Sequence, residues 1–223
     1  MTKEKIHKIC KKYNIINYTI NSDMSIDVDG HVLMRGKGLK EIPLNFNRVN
    51  GDFLCNFNLL KSLKGSPKIV ESTFFCGNNL LKSLEYSPEY IGHSFYCGRN
   101  QLKTLEYFPK YVGRKIECNS NGLQSLKGVE NDTFHSFECV DNNIRSFKYY
   151  PKKISNRKSF FNNPIAIFYP VFKKREYIDY FNELDIIREN ETVVILDRLN
   201  YFLMDIGERE IPKKLIERNY KVK

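Results

Sequence analysis

The chain repeats itself every 21 residues. FLCNFNLLKSL (53–63) returns as FFCGNNLLKSL (74–84), FYCGRNQLKTL (95–105), IECNSNGLQSL (116–126) and FECVDNNIRSF (137–147). Cys55, Cys76, Cys97, Cys118 and Cys139 form one row, and Asn58, Asn79, Asn100, Asn121, Asn142 and Asn163 a second. Leu60, Leu81, Leu102, Leu123, Ile144 and Ile165 form a third, and Leu63, Leu84, Leu105, Leu126, Phe147 and Phe168 a fourth. Pro67, Pro88, Pro109 and Pro151 mark a turn, and Val70, Ile91, Val112 and Ile154 close units. A degenerate first copy carries Val32, Met34, Leu39, Ile42 and Val49 in phase. A unit this short cannot bury its own apolar residues and must stack on its neighbours, so the chain is read as a solenoid.

Within each unit F-x-C alternates with period two, the signature of a short strand with Phe and Cys facing inward. Copies that run in one direction at a fixed step pair in parallel, about 4.8 Å apart. The asparagine follows where the strand ends. Its amide can satisfy backbone groups that a buried turn would leave unpaired, so stacked copies form a ladder. The sixth copy is decayed, and Asn163 is expected to matter less than Asn100.

The pattern F-x-C-x-x-N-x-L-x-x-L resembles the leucine-rich repeat, L-x-x-L-x-L-x-x-N-x-L, with Phe and Cys replacing two leucines. The resemblance covers roughly residues 30–168. It implies an α/β solenoid: a leucine-rich-repeat coil with a short parallel β-sheet. Three parts are expected: an N-terminal cap over 1–29, six to seven 21-residue units over 30–168 and a helical cap over 169–223. A solenoid exposes apolar ends unless they are covered. In the leader, Thr2 is a plausible N-cap for a helix with Ile6, Ile9, Cys10 and Tyr13 on one face, followed by a hairpin from YTI and SIDVDG. In the tail the period changes. Helices are expected over 175–187 and 191–207, with Gly207 as the stop and one further helical turn after Pro212.

Six cysteines in a secreted chain would suggest a disulfide framework. Here five share one inward row, so reduced, buried thiols in a reducing cytoplasm are expected. The sequons at Asn17, Asn131 and Asn190 are then incidental. No apolar run is long enough for a membrane span, and MTKEKIHKICKKYN lacks the apolar core of a secretory signal.

No catalytic constellation stands out. His7 and Cys10 are only two potential ligands, and Glu138 and Cys139 fall on opposite faces of a strand, so no metal or cofactor is expected. The GKG at 36–38 reads as a turn. The chain is therefore read as a binding protein and not as an enzyme.

Two surfaces are candidates. Positions alternating with Phe and Cys fall on the concave side, where Leu54, Phe75 and Tyr96 form an apolar column that becomes Glu117 and Glu138. Asn56, Ser94, Arg99 and Ser136 are expected on the same face. Such a column either shields the sheet or marks a protein interface. The second surface is the row Lys40, Lys61, Lys82, Lys103, Gln124 and Arg145, with Lys68, Lys110 and Lys152 near the prolines. It is either a wetted edge or a polyanion-binding site. The net charge of +10 supports it, because residues 29–165 hold 20 basic and 12 acidic side chains whereas 166–223 hold 11 of each.

The leader YTINSDMSIDVDGHVLM, the segment LKEIPLNFNRVNGDF and the unit N-x-L-K-S-L-x-x-S-P resemble leucine-rich-repeat proteins of tailed bacteriophages. The departures, Lys37 for the ladder asparagine and Lys158 for the Phe, fall in the end units. The resemblance implies a binding role in the host cytoplasm. A host protein, such as a defence factor, is the expected partner. Nucleic acid, or a place in the virion, is the alternative.

Overall fold

A computed structural model describes residues 1–129, 133–188 and 190–223. Asn131, with its sequon, lies outside them. The chain is a parallel-strand β-solenoid of about six turns. Helix α1 (Lys3–Lys12) leads into an antiparallel hairpin of β1 (Tyr18–Ile20) and β2 (Ile26–Val28). The coil then lays down β3 (Val32–Leu33), β4 (Phe46–Val49), β5 (Phe53–Leu54), β6 (Ile69–Val70), β7 (Phe74–Phe75), β8 (Tyr90–Ile91), β9 (Phe95–Tyr96) and β10 (Tyr111–Val112). It continues through β11 (Lys115–Glu117), β12 (Thr133–Phe134), β13 (Ser136–Glu138), β14 (Lys153–Ile154) and β15 (Lys158–Ser159).

Two sheets run along the coil. One orders β15-β13-β11-β9-β7-β5-β3 and contains the F-x-C strands; the other orders β1-β2-β4-β6-β8-β10. The second sheet was not expected. It arises because the residues that close each unit also alternate: Val70 and Ile91 point inward while Ile69 and Tyr90 point outward. Between Leu60 and Pro67 the chain turns without any helix, so both long walls of these turns are strand. The corner between the sheets brings backbones very close. A Cβ on Gly113 would lie 2.1 Å from the Gly92 carbonyl oxygen, so only glycine fits there.

The interior is a stack of like residues. Phe53, Phe74 and Phe95 are fully buried with successive ring centroids 5.6 and 5.8 Å apart. Ile116 breaks the column. Phe108 and Phe134 move into the space, linking Phe95 to Phe137 through centroid steps of 5.5, 5.6 and 5.4 Å. That detour has a consequence for the backbone. Phe134 pairs with Ile154, 20 residues on, so β12 and β14 form their own two-stranded sheet and the period of 21 slips by one residue.

The asparagines are clamps. Asn100 Nδ2 donates to the carbonyls of Cys97 (3.1 Å) and Cys76 (3.2 Å), one turn back, while its Oδ1 accepts from Leu81 N at 3.0 Å. Asn58 does the same to the first turn, donating to Met34 O at 2.8 Å and accepting from Lys37 N at 2.9 Å. Each clamp needs a preceding turn, so the first unit has no use for one, and Lys37 stands there. Asn163 is clamped fully, to Cys139 O at 2.7 Å and from Ile144 N at 3.0 Å, so its geometry gives no reason for it to matter less than Asn100.

At the N-terminal end, Thr2 Oγ1 accepts from Lys5 N, and Ile6 and Cys10 of α1 are buried in the common core. At the other end a 3-10 helix (Pro164–Val171) precedes α2 (Arg175–Glu183), β16 (Ile187–Arg188), β17 (Val193–Val194), α3 (Leu196–Asp205), α4 (Lys213–Ile216) and β18 (Lys221–Val222). The tail is thus not wholly helical. The helix expected from 191 begins only at Leu196, because Val193 and Val194 are both buried and pair as a strand with β16 and β18. All six cysteines are buried and unpaired with one another.

Candidate binding faces

Strand register sets the outward residues of the F-x-C sheet in a line. Leu33, Leu54, Phe75, Tyr96, Glu117, Glu138 and Ser159 are direct neighbours from strand to strand. Leu33 extends the column by one turn. It was missed in the sequence although it stands 21 residues before Leu54. Leu33 is exposed, and Leu54, Phe75 and Tyr96 are half-buried against one another, with the Phe75 and Tyr96 rings 5.0 Å apart.

The acidic end of the column is neutralised. Lys115 Nζ sits 5.6 Å over the Tyr96 ring, 3.3 Å from Glu117 and 3.0 Å from Glu138, and Arg157 Nε lies 3.2 Å from Glu138. Burial works against the Lys115 ammonium, yet hydrogen bonds and attraction from Glu138 and Glu117 hold its pKa above the usual lysine value. The sequence places Lys115 on this face by alternation, two residues before Glu117 on the same strand. The face therefore offers an apolar column ending in a charge-balanced network, and not a free acidic pair.

Several residues expected on this face are not open on it. Asn56, Ser94 and Ser136 are buried, although Ser136 keeps its register beside Lys115. Arg99 is exposed but has φ of 56°, in a corner row with Phe57, Asn78, Ser120, Asp141 and Asn162, all left-handed. The left-handed turn takes Arg99 out of the strand's alternation, so it projects from the corner.

Lys40, Lys61, Lys82 and Lys103 occupy successive turns, all exposed, and among the described residues none of them forms an ion pair. Gln124 interrupts the row. Arg145 departs from it, because its guanidinium donates to the Asn219 carbonyl and lies 5.9 Å from the Tyr220 ring. The lysines near the prolines are less free: Lys110 is bound to Glu89 at 2.6 Å.

A cleft of about 970 Å³ separates the last turns from the tail. Its charges are largely committed: Asp185 to Arg188 at 2.6 Å and Glu191 to the Ser146 hydroxyl at 2.7 Å. His7 at the N-terminal end contacts the Tyr18 hydroxyl at 2.5 Å. Among the described residues no three metal-ligating side chains converge, and no helix is long and apolar enough to cross a membrane. Compared with family models, curated proteins and solved structures, the chain matches none.

Proposed function

We propose that this chain is a non-catalytic binding solenoid of the leucine-rich-repeat type, related to those of tailed bacteriophages, that engages a host protein in the cytoplasm. The observation that carries this reading is the column Leu33, Leu54, Phe75 and Tyr96, a continuous apolar strip along one sheet face whose members are exposed or half-buried. An interface centre of aromatic and aliphatic groups rimmed by satisfied charges has the composition of a protein-binding hot spot. The asparagine clamps and leucine rows support the repeat type. The buried unpaired thiols suit a reducing compartment. In this reading α1 with its hairpin (1–29) and the tail (169–223) cap the coil of 30–168.

The test is capture of host proteins on the immobilised chain, followed by affinity measurement with the purified partner. An anchor of this kind contributes about 2 kcal/mol or more, so Tyr96→Ala weakens the complex at least about tenfold. The melting temperature should hardly move, since Tyr96 is only half-buried. Unchanged affinity in Tyr96→Ala and Phe75→Ala removes the column from the interface.

A further inference from the structure

We propose that the chain carries a second, independent binding surface: the lysine row at Lys40, Lys61, Lys82 and Lys103, which takes double-stranded nucleic acid through its phosphates alone. This goes beyond the protein-binding reading and does not depend on it.

The argument is one of contrast. A coil places every side chain beside its counterpart one turn away, so like charges in a row repel and opposite charges pair. At several places the coil uses this to neutralise itself. Lys110 reaches Glu89 and Lys127 reaches Glu106, each 21 residues back, at 2.6 and 2.8 Å, and Arg48 reaches Glu71 at 2.6 Å. The lysine row keeps one sign over four successive turns, without an ion pair among the described residues. Arg35 and Lys37, both exposed, extend the positive field at its start. Wetting an edge needs polar side chains of any sign. A line of one sign, with the coil's own means of neutralising it unused, suits a line of external negative charge.

Geometry selects the polyanion. Three coil steps of about 4.8 Å give a straight row of about 14 Å, or roughly four base pairs of duplex. A single strand is held by aromatic platforms between its phosphate contacts. Among the described residues this row is not lined by such a series. Phe57 is exposed, but the Arg35 guanidinium lies over its ring at 4.7 Å. Exposed Tyr86 and Tyr107 are separated from Lys82 and Lys103 along the chain by Glu85 and by the Glu106–Lys127 pair, so carboxylates interrupt the path of a strand to them. The row presents only flexible ammonium groups at one coil step, which suits repeated phosphate contact, so binding is expected to depend little on sequence.

The experiment measures anisotropy of a labelled 20-base-pair DNA duplex against salt. Four phosphate contacts give a slope of log K on log salt of about −3 to −4. Replacing Lys61, Lys82 and Lys103 with Gln should weaken binding at least about tenfold at roughly 50 mM salt and flatten the slope by about 2 to 3. Replacing the paired lysines Lys110, Lys127 and Lys173, the last bound to Glu208, with Gln removes the same formal charge and should change affinity much less. Equal losses in the two triple variants would reduce the effect to net charge and overturn the proposal. So would failure to bind duplex at low salt, or equally tight binding of the single strand or of polyglutamate. The three substituted lysines are exposed, so an unchanged melting temperature checks that the variant is folded.

Discussion

Asn100 makes its contacts with two turns at once, and that is what sets its energetic weight. Asn100→Ala leaves the carbonyls of Cys76 and Cys97 and the amide of Leu81 without their partner, a loss of about 1–3 kcal/mol. Asn163, with equivalent bonds and equal burial, should cost a similar amount, as urea denaturation of the two variants will show. A negligible loss at Asn163 means that the last clamp is not closed. The thiols supply a second prediction. Burial pushes Cys55 up to about 12 and raises Cys76, Cys97 and Cys118 as well. A folded pKa above the unfolded value means that the native state holds its protons longer. The thiols' stabilising contribution is therefore complete below about pH 8.5 and is lost as pH rises further towards the folded values. The melting temperature should fall above that pH, less steeply in Cys76→Ala, and native thiols should resist alkylation until denaturant exposes all six. Rapid alkylation of the folded chain would contradict the inward row.

At the scale of elements, the phenylalanine column shows how a repeat absorbs an exception. Ile116 is smaller than the Phe it replaces, and Phe108 with Phe134 takes the space. Restoring the repeat residue by Ile116→Phe looks stabilising when only the pattern is considered. In the packed core it overfills a site already occupied, and a loss of about 1–3 kcal/mol is expected in chemical denaturation. An increase in stability would show the site to be slack. The slip in pairing between Phe134 and Ile154 has the same cause, since the ring that fills the gap draws its strand one residue out of phase. The tail follows a different rule. Val193 and Val194 sit inside an apolar run that reads as helix, but adjacent β-branched residues buried on both sides are better served by a strand between two partners.

For the whole molecule, stability is passed from turn to turn, since each turn touches only its neighbours. Ile6 is fully buried, and α1 is tied to the first hairpin through His7 and Tyr18. Ile6→Ala should cost about 2–5 kcal/mol locally. Its effect on amide exchange should be graded: Val32 and Met34 lose protection first, while Phe95 and Cys97 keep theirs. Uniform loss along the coil would mean that the solenoid unfolds as a single unit. Charge is distributed on the same plan. Arg48, Lys110 and Lys127 each meet an anion on an adjacent turn, the column's acidic end is closed by Lys115 and Arg157, and the lysine row keeps a single sign, on which a second binding surface rests.

What repeats was decided by the sequence. Phe, Cys, Asn and Leu recur because each turn recreates the same environment, so a residue's row, its inward direction and the parallel pairing of Leu54, Phe75 and Tyr96 follow from arithmetic alone. Whatever depends on a neighbour outside the row was left to the tertiary structure. The second sheet needs the corner at Gly92 and Gly113 to fold the unit into two walls. Asn56 and Ser94 are buried where alternation alone would open them to solvent, and Arg99 left the expected face because its corner dihedral, not alternation, sets its direction. Arg145 left its row because the tail brings Asn219 and Tyr220, more than 70 residues away in sequence, against it. A period specifies how a turn meets a copy of itself. It carries no information about contacts between residues that are not copies, and those contacts fixed which charges on this surface remain free.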